Sequence, residues 1–411
     1  MKLNAQIAKF VLPNSVRVVC EHVPYVHSVA IGIWCHTGSR MEAPQESGIS
    51  HLIEHMLFKG TEKRTAEQIA QEIEGKGGHL NAFTDREITC FYARTLAEEL
   101  PTALDVLGDM FTNSLIKPED LELEKSVIHE EIRKYEDTPE EHIHDLHMRK
   151  RWGDHPLGRP IIGTHESLNS FRREHLKDYM KRRYVAGKTL VAVAGKLEPE
   201  ELRKLCEEKL SFLAGDFELP NEPPPNSNPG EFLVPKNVEQ VHFCIGGDSV
   251  TLYDERRYAL GILDAILGGS MSSRLFQEIR EKRGLVYAVG SYAALYREAG
   301  SFTIYGGTGL QTWEQVKELV VKEIQKIRSE DVSEEELERA KKMIKGSIVL
   351  GMESMSARMQ RIAKNELIYG RDIPIEETLA KIEAVTQKDI RTLAEEFLDP
   401  EKMTTTAIGP F

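Results

Sequence analysis

The segment His51-Leu52-Ile53-Glu54-His55 concentrates more reactive chemistry than any other stretch of this chain. On a helix, residues four apart share a face, so the imidazoles of His51 and His55 project side by side. Two imidazoles at that spacing can reach one cation, which is the arrangement zinc peptidases use. Glu54, one residue before the second histidine, lies beside that face and can approach a water held on such a cation. The plain alternative is a helix with two hydrogen-bonded histidines and a solvated acid. A second histidine group, His142, His144 and His147, has no acidic or cysteine partner at ligand spacing, so an exposed helix is expected there rather than a second metal site.

The order of the motif narrows the reading. H-E-x-x-H marks thermolysin-type enzymes; here the motif is inverted to H-x-x-E-H. With that inversion the chain resembles the pitrilysin family of inverzincin peptidases, which includes insulin-degrading enzyme and the mitochondrial processing peptidase. Within that family it resembles the bacterial single-unit relatives of the processing peptidase's catalytic subunit. In that family a third ligand, a glutamate, follows the second histidine by about 75 residues on a long helix, and another glutamate seven residues before it supports the site. Glu124-Lys-Ser-Val-Ile-His-Glu-Glu131 matches, which implies Glu131 as ligand and Glu124 as support. Seven residues are close to two turns, so these two carboxylates share a helical face. Glu130 competes for the ligand role but points about 100° away.

The resemblance implies more. Gly78 to Thr89 is similar to the family's substrate strand, an edge strand that pairs with bound peptide, so Asn81, Ala82, Phe83 and Thr84 are its expected contacts. Arg280 and Tyr287 match an arginine and a tyrosine that the family places over the substrate. One zinc per chain, held by His51, His55 and Glu131, would keep an open position, lower the pKa of bound water and polarise a peptide carbonyl. Glu54 would act as general base, and Tyr287 or Asn81 would hydrogen-bond the developing oxyanion or the substrate backbone.

These residues need elements to hold them. Strand-like runs occur at Val16–Cys20 and Ser28–Cys35, followed by a helix over about 50–59. Thr65-Ala-Glu-Gln68 reads as a capping box opening a second helix that stops at Gly75-Lys-Gly-Gly78. Strands near 79–84 and 87–94, helices near 97–114 and 118–136, and a buried strand at 189–194 complete the first half. The second half repeats the order, with strands at 241–245, 285–292, 300–306 and 404–407 and helices at 258–267, 311–328 and 333–350. His51–Gly60 aligns over Leu260–Gly269, and Lys117–Leu121 over Ser333–Leu337. The predicted fold class is therefore α+β, a tandem duplication of a unit with an antiparallel-rich mixed sheet and several helices. Residues 1–218 form the catalytic repeat and 219–231 a proline-rich linker; 232–411 form a degenerate second repeat. Leu260, Leu263, Asp264 and Ser347 stand where the first repeat has His51, Glu54, His55 and Glu131.

Composition sets the outer limits. The chain has 411 residues, 40% hydrophobic and 29% charged, an ordinary globular balance that excludes a disordered or fibrous class. A net charge of −13 disfavours phosphate neutralisation, so no nucleic-acid partner is expected, and basic peptides are the ligands an acidic cavity would attract. No membrane span is expected, since the longest stretch without Asp, Glu, Lys or Arg, His22 to Ser39, carries three histidines and a proline. Met1–Gln6 lacks the apolar core of a signal peptide, and the five cysteines (20, 35, 90, 206, 244) form no C-x-x-C pair. Both point to a reducing, cytoplasmic location and to cysteines acting as small buried hydrophobes.

Three functions compete on these grounds. The first is a zinc endopeptidase cleaving unfolded peptides or presequence-like segments. The second is the catalytic member of a heterodimeric processing peptidase. The third is a non-catalytic scaffold, which the intact motif disfavours. The long family members resemble two such chains fused, which implies a dimer closing a chamber, a homodimer first and a heterodimer as the alternative. Arg280 and Tyr287 would then serve the partner's zinc.

Overall fold

The computed structural model describes residues 6–411. The signal-peptide reading of the first residues therefore falls almost wholly outside the described residues. Among the described residues there are eleven strands: β1 (Gln6–Val11), β2 (Arg17–His22), β3 (Ser28–Cys35), β4 (His79–Thr84), β5 (Thr89–Leu96), β6 (Thr189–Gly195), β7 (Gly230–Pro235), β8 (Val241–Asp248), β9 (Val286–Leu295), β10 (Gly300–Thr308) and β11 (Thr404–Gly409). The helices that matter below are α1 (Ile49–Leu57), α2 (Ala66–Glu74), α3 (Leu100–Asn113), α4 (Pro118–Glu136), α5 (Pro139–Trp152), α6 (His165–Ser170), α7 (Arg173–Arg183), α8 (Pro199–Leu210), α9 (Arg257–Leu267), α10 (Trp313–Ser329), α11 (Glu334–Gly351) and α12 (Met355–Tyr369).

Two sheets form. One runs β1-β2-β6-β3-β5-β4 and the other β7-β11-β8-β10-β9. Leaving out β1, the two orders are the same, and in each the one parallel pairing falls at the same place, β2 with β6 and β7 with β11. The duplication is thus written in topology as well as in sequence, and the fold is α+β with mixed, mostly antiparallel sheets. The central strands are the runs richest in β-branched and small apolar residues. Every residue of β6 is buried, because helices cover both of its faces.

The chain divides into two compact units that are not its two halves. One takes the chain up to Ile132, Pro160–Pro220 and Leu350–Ile373; the other takes Arg133–Arg159, Asn221–Val349 and Pro374–Phe411. In the first unit, α1, α3, α4 and α8 bury their apolar faces on one side of the six-stranded sheet. The opposite side, with Trp34, Ala30 and Ala192, is covered by Met355, Met359 and Ile362 of α12, a helix from the second half of the chain. Arg358 of α12, buried, donates from Nη1 to Glu21 Oε1 of β2 at 2.5 Å.

In the second unit, α9 and α10 pack on one side of the five-stranded sheet, and α5, from the first half of the chain, packs on the other. This corrects the expectation of an exposed helix at 142–147. His147 is fully buried, with Nδ1 3.1 Å from Thr406 Oγ1, and His144 Nδ1 lies 3.0 Å from Tyr292 Oη. Gly246 is needed beneath His147, since a Cβ there would lie 2.5 Å from Nε2 of the ring. The linker prediction meets a stretch without regular structure over 213–229; its last two residues, Gly230 and Glu231, already belong to β7.

Candidate metal centre

α1 is aimed at its N-terminus. Gly48 caps it with φ +90°, and a Cβ there would press against Ile162 O at 2.7 Å. The Glu42 carboxylate accepts from the N–H groups of Gly48 (2.8 Å) and Ser50 (2.9 Å), satisfying donors at the positive end of the helix. Ile49, Leu52, Ile53, Met56 and Leu57 go into the core. That leaves His51, Glu54 and His55 half-buried on the other face. α4 is turned the same way: Leu121, Ile128 and Ile132 face inward with Glu124, and Glu131 stands at the margin.

His51, His55 and Glu131 converge, with one ligand atom from each within 4.8 Å of the others. His51 Nε2 is 3.9 Å from Glu131 Oε1, and His55 Nε2 is 3.7 Å from Glu131 Oε2. These separations exceed hydrogen-bond length, so both imidazoles lie close to the Glu131 carboxylate without bonding it. Among the described residues this is the one group of three His, Cys, Asp or Glu side chains placed to hold a metal ion. His142, His144 and His147 form no such group. Two imidazoles and a carboxylate suit zinc, and three ligands leave a fourth position free.

The surroundings fix the ring of His55. Its Nδ1 is 3.0 Å from Glu124 Oε2, and Glu124, buried, takes Lys59 Nζ on its other oxygen at 2.5 Å. A donor hydrogen on Nδ1 leaves the lone pair on Nε2, toward Glu131. His51 is different: its Nδ1 is buried without a hydrogen-bond partner among the described residues. Burial, and after it the neighbouring His55, bring the His51 pKa down to about 3, which keeps the ring neutral and its lone pair available. Glu54 accepts a hydrogen bond from Thr84 Oγ1. Burial raises the Glu54 pKa above the usual carboxylate range; Thr84 and His55 oppose the rise, and the Glu131 charge adds to it.

β4 is an edge strand, paired with β5 alone among the described residues. Leu80 and Ala82 pack toward the core, and Phe83 sets its ring edge-on to Trp34 at 5.6 Å. Asn81 is exposed, and its Oδ1 accepts from Ala82 N at 2.8 Å. Glu130 is exposed and stands outside the cluster. Arg280 and Tyr287 lie in the second compact unit, brought together with each other: the Arg280 Cζ is 5.3 Å from the Tyr287 ring centroid. In that unit Asp264 occupies the place of the second histidine, bonded by Ser291 Oγ at 2.5 Å, and its burial pushes the pKa up to about 6.

Comparison with known proteins bears on this arrangement. Residues 17–165 match the family described as Insulinase (Peptidase family M16), and residues 170–344 match its companion, the Peptidase M16 inactive domain. A Bacillus subtilis protein described as the uncharacterized zinc protease YmxG is 40% identical over 388 residues, covering 94% of this chain and 95% of that one. The chain belongs to the M16 peptidase family. A Rickettsia felis M16 relative, also described as an uncharacterized zinc protease, is 39% identical and matches 100% of this chain and 98% of its own. Among solved structures, a protease from Helicobacter pylori aligns with TM-score 0.91 at 20% identity, over 99% of this chain and 100% of that chain. A Pseudomonas fluorescens structure described as a peptidase M16 inactive domain aligns with TM-score 0.92 at 20% identity, over 100% and 99%. At such identity these two establish the fold. The two matched regions fall in the same order as the intact and degenerate copies of the motif.

Two contributors to the M16 site, Glu42 and Lys59, went unread in the sequence. Glu42 is separated from α1 by a loop, and no spacing rule ties it to the helix. Lys59 follows His55 by four residues, so its shared face was available as a signal. Thr84, expected as a substrate-strand contact, also gives its hydroxyl to Glu54, a role its spacing does not announce.

Proposed function

We propose that this M16 member is a zinc-dependent endopeptidase that hydrolyses unfolded peptides, with His51, His55 and Glu131 holding the ion. The convergence of those three side chains beside the Glu54 carboxylate is the observation that carries the reading. A bound zinc supplies Lewis acidity toward a water and a peptide carbonyl. Glu54, held by Thr84, takes the proton from the attacking water and returns it to the leaving amine nitrogen. Glu124 keeps His55 in the tautomer that presents Nε2. The free edge of β4 accepts the substrate backbone as an added strand, with Asn81 among its contacts. Arg280 and Tyr287 bind the peptide over the reacting bond, and a second copy of this chain supplies them, so the working form is a dimer enclosing a chamber.

The reading is tested by metal analysis together with cleavage assays. The purified protein should carry about one zinc per chain, as one three-ligand site implies. It should cleave unfolded peptides, lose this activity to a chelator, regain it with zinc, and leave a stably folded protein intact. Absence of zinc or of hydrolysis would overturn the assignment, and rapid degradation of folded protein would overturn the chamber.

A further inference from the structure

Residues Phe276–Glu281 form a π-helical turn, in which Lys282 N bonds Gln277 O at 3.0 Å. Such turns are rare and recur at functional sites because they shift the register of a side chain. The chain then reverses at Gly284, where φ is +63°, and Gly284 N bonds Arg280 O at 2.8 Å. β9 starts two residues later, which places Tyr287 over Arg280. The guanidinium lies over two rings, 4.7 Å from the centroid of Phe276 and 5.3 Å from that of Tyr287. Phe276 is buried, whereas Tyr287 is 80% exposed.

Charge pairing isolates this arginine. Its cationic neighbours Lys282 and Arg283 both pair with Glu278. The guanidinium of Arg280 and the hydroxyl of Tyr287 carry no hydrogen bond or ion pair to any of the described residues. Contact with an aromatic face uses the face of the guanidinium and leaves its in-plane N–H donors free. A fixed fork of donors without an acceptor is suited to a carbonyl or carboxylate oxygen from outside.

We infer that Phe276 is a positioning residue: with Tyr287 it clamps Arg280 between two aromatic faces and so presents the guanidinium edge to a backbone oxygen of the bound peptide. The inference rests on the peptidase reading for the identity of the ligand, but the clamp itself does not. Without the Phe276 face, Arg280 would keep its charge and lose its fixed direction.

The experiment combines an activity-free readout with kinetics. In the wild type, the Nε–H proton of Arg280, assigned through its loss in Arg280→Lys, should resonate upfield under the ring currents. In Phe276→Leu it should move downfield while the other arginine signals and the thermal midpoint hold; Phe276→Met serves if the leucine variant does not fold. On an unfolded peptide, Phe276→Leu should raise KM about five-fold with little change in kcat, the size of an exposed cation–π contact. Phe276→Tyr should restore the wild-type value. In an Arg280→Met background, Phe276→Leu should add nothing. An unmoved Arg280 resonance, or a Phe276→Leu effect that persists without the arginine, would overturn the inference. If the wild type cleaves no peptide, the peptidase reading fails, and the resonance still decides the clamp.

Discussion

Burial acts on two histidines in the same direction and leaves them with different prospects. His51 and His147 are both depressed to about 3, but His51 faces Glu131 whereas His147 sits against Thr406 and Gly246 in a closed interior. Burial is the larger cause for His147, followed by the Arg151 charge. The folded protein therefore keeps His147 neutral where the unfolded chain, with a histidine pKa near 6.5, binds a proton. Below that value the unfolded state holds more protons, so stability falls as pH falls. The loss is about 1.4 kcal/mol per pH unit from one such group, and it continues until the folded value is reached. His147→Gln should flatten the fall of the urea midpoint between about pH 6 and pH 4. Equal slopes for the two proteins over that window would show that His147 is not a source of acid sensitivity.

At the scale of elements, each sheet has one face covered by a helix from the other half of the chain, α12 in the first unit and α5 in the second. A buried arginine fixes each of them, Arg358 to Glu21 and Arg151 to Asp248 and Ser301. Arg358→Ala would leave Glu21 charged and buried without its partner, a loss of about 3–5 kcal/mol. Chemical denaturation should record it, and a change below 1 kcal/mol would mean that the pair has little net role. The exchange explains what could and could not be read in the sequence. Strong local signals gave β3, β6, α1, the Thr65 capping box and the full span of α4, because burial pattern and caps lie within each segment. The trio His142, His144 and His147 looked like a charged, exposed helix because α5 has a weakly apolar face, and its packing surface, β8 and β11, lies about 100 residues or more away in sequence. β1 escaped notice for a similar reason: Gln6–Val11 is short, broken by Lys9, and gains its structure from pairing with β2. In the candidate site, the i, i+4 histidines were legible from spacing alone. Glu131 and Glu124 came from resemblance, because nothing local links residues so distant in the chain.

At the scale of the whole molecule, the single metal cluster and the Arg280–Tyr287 pair found among the described residues suit the proposed two-fold assembly, in which each copy would complete the other's site. Complementation tests this. A Glu54→Gln chain mixed with an Arg280→Ala, Tyr287→Phe chain should regain about half of the activity per heterodimer, since one of its two sites pairs intact partners. No recovery, with subunit exchange verified, would refute a site shared between copies.

In the proposed reaction Glu54 moves the proton while His51, His55 and Glu131 hold the ion. The most direct measurement is zinc content and peptide hydrolysis on the same preparation of Glu54→Gln. The glutamine keeps the size and the Thr84 hydrogen-bond acceptor but cannot take a proton. The variant should retain wild-type zinc and lose hydrolysis by about 100-fold or more. Wild-type turnover would contradict the role of base, and loss of the zinc would make Glu54 a ligand.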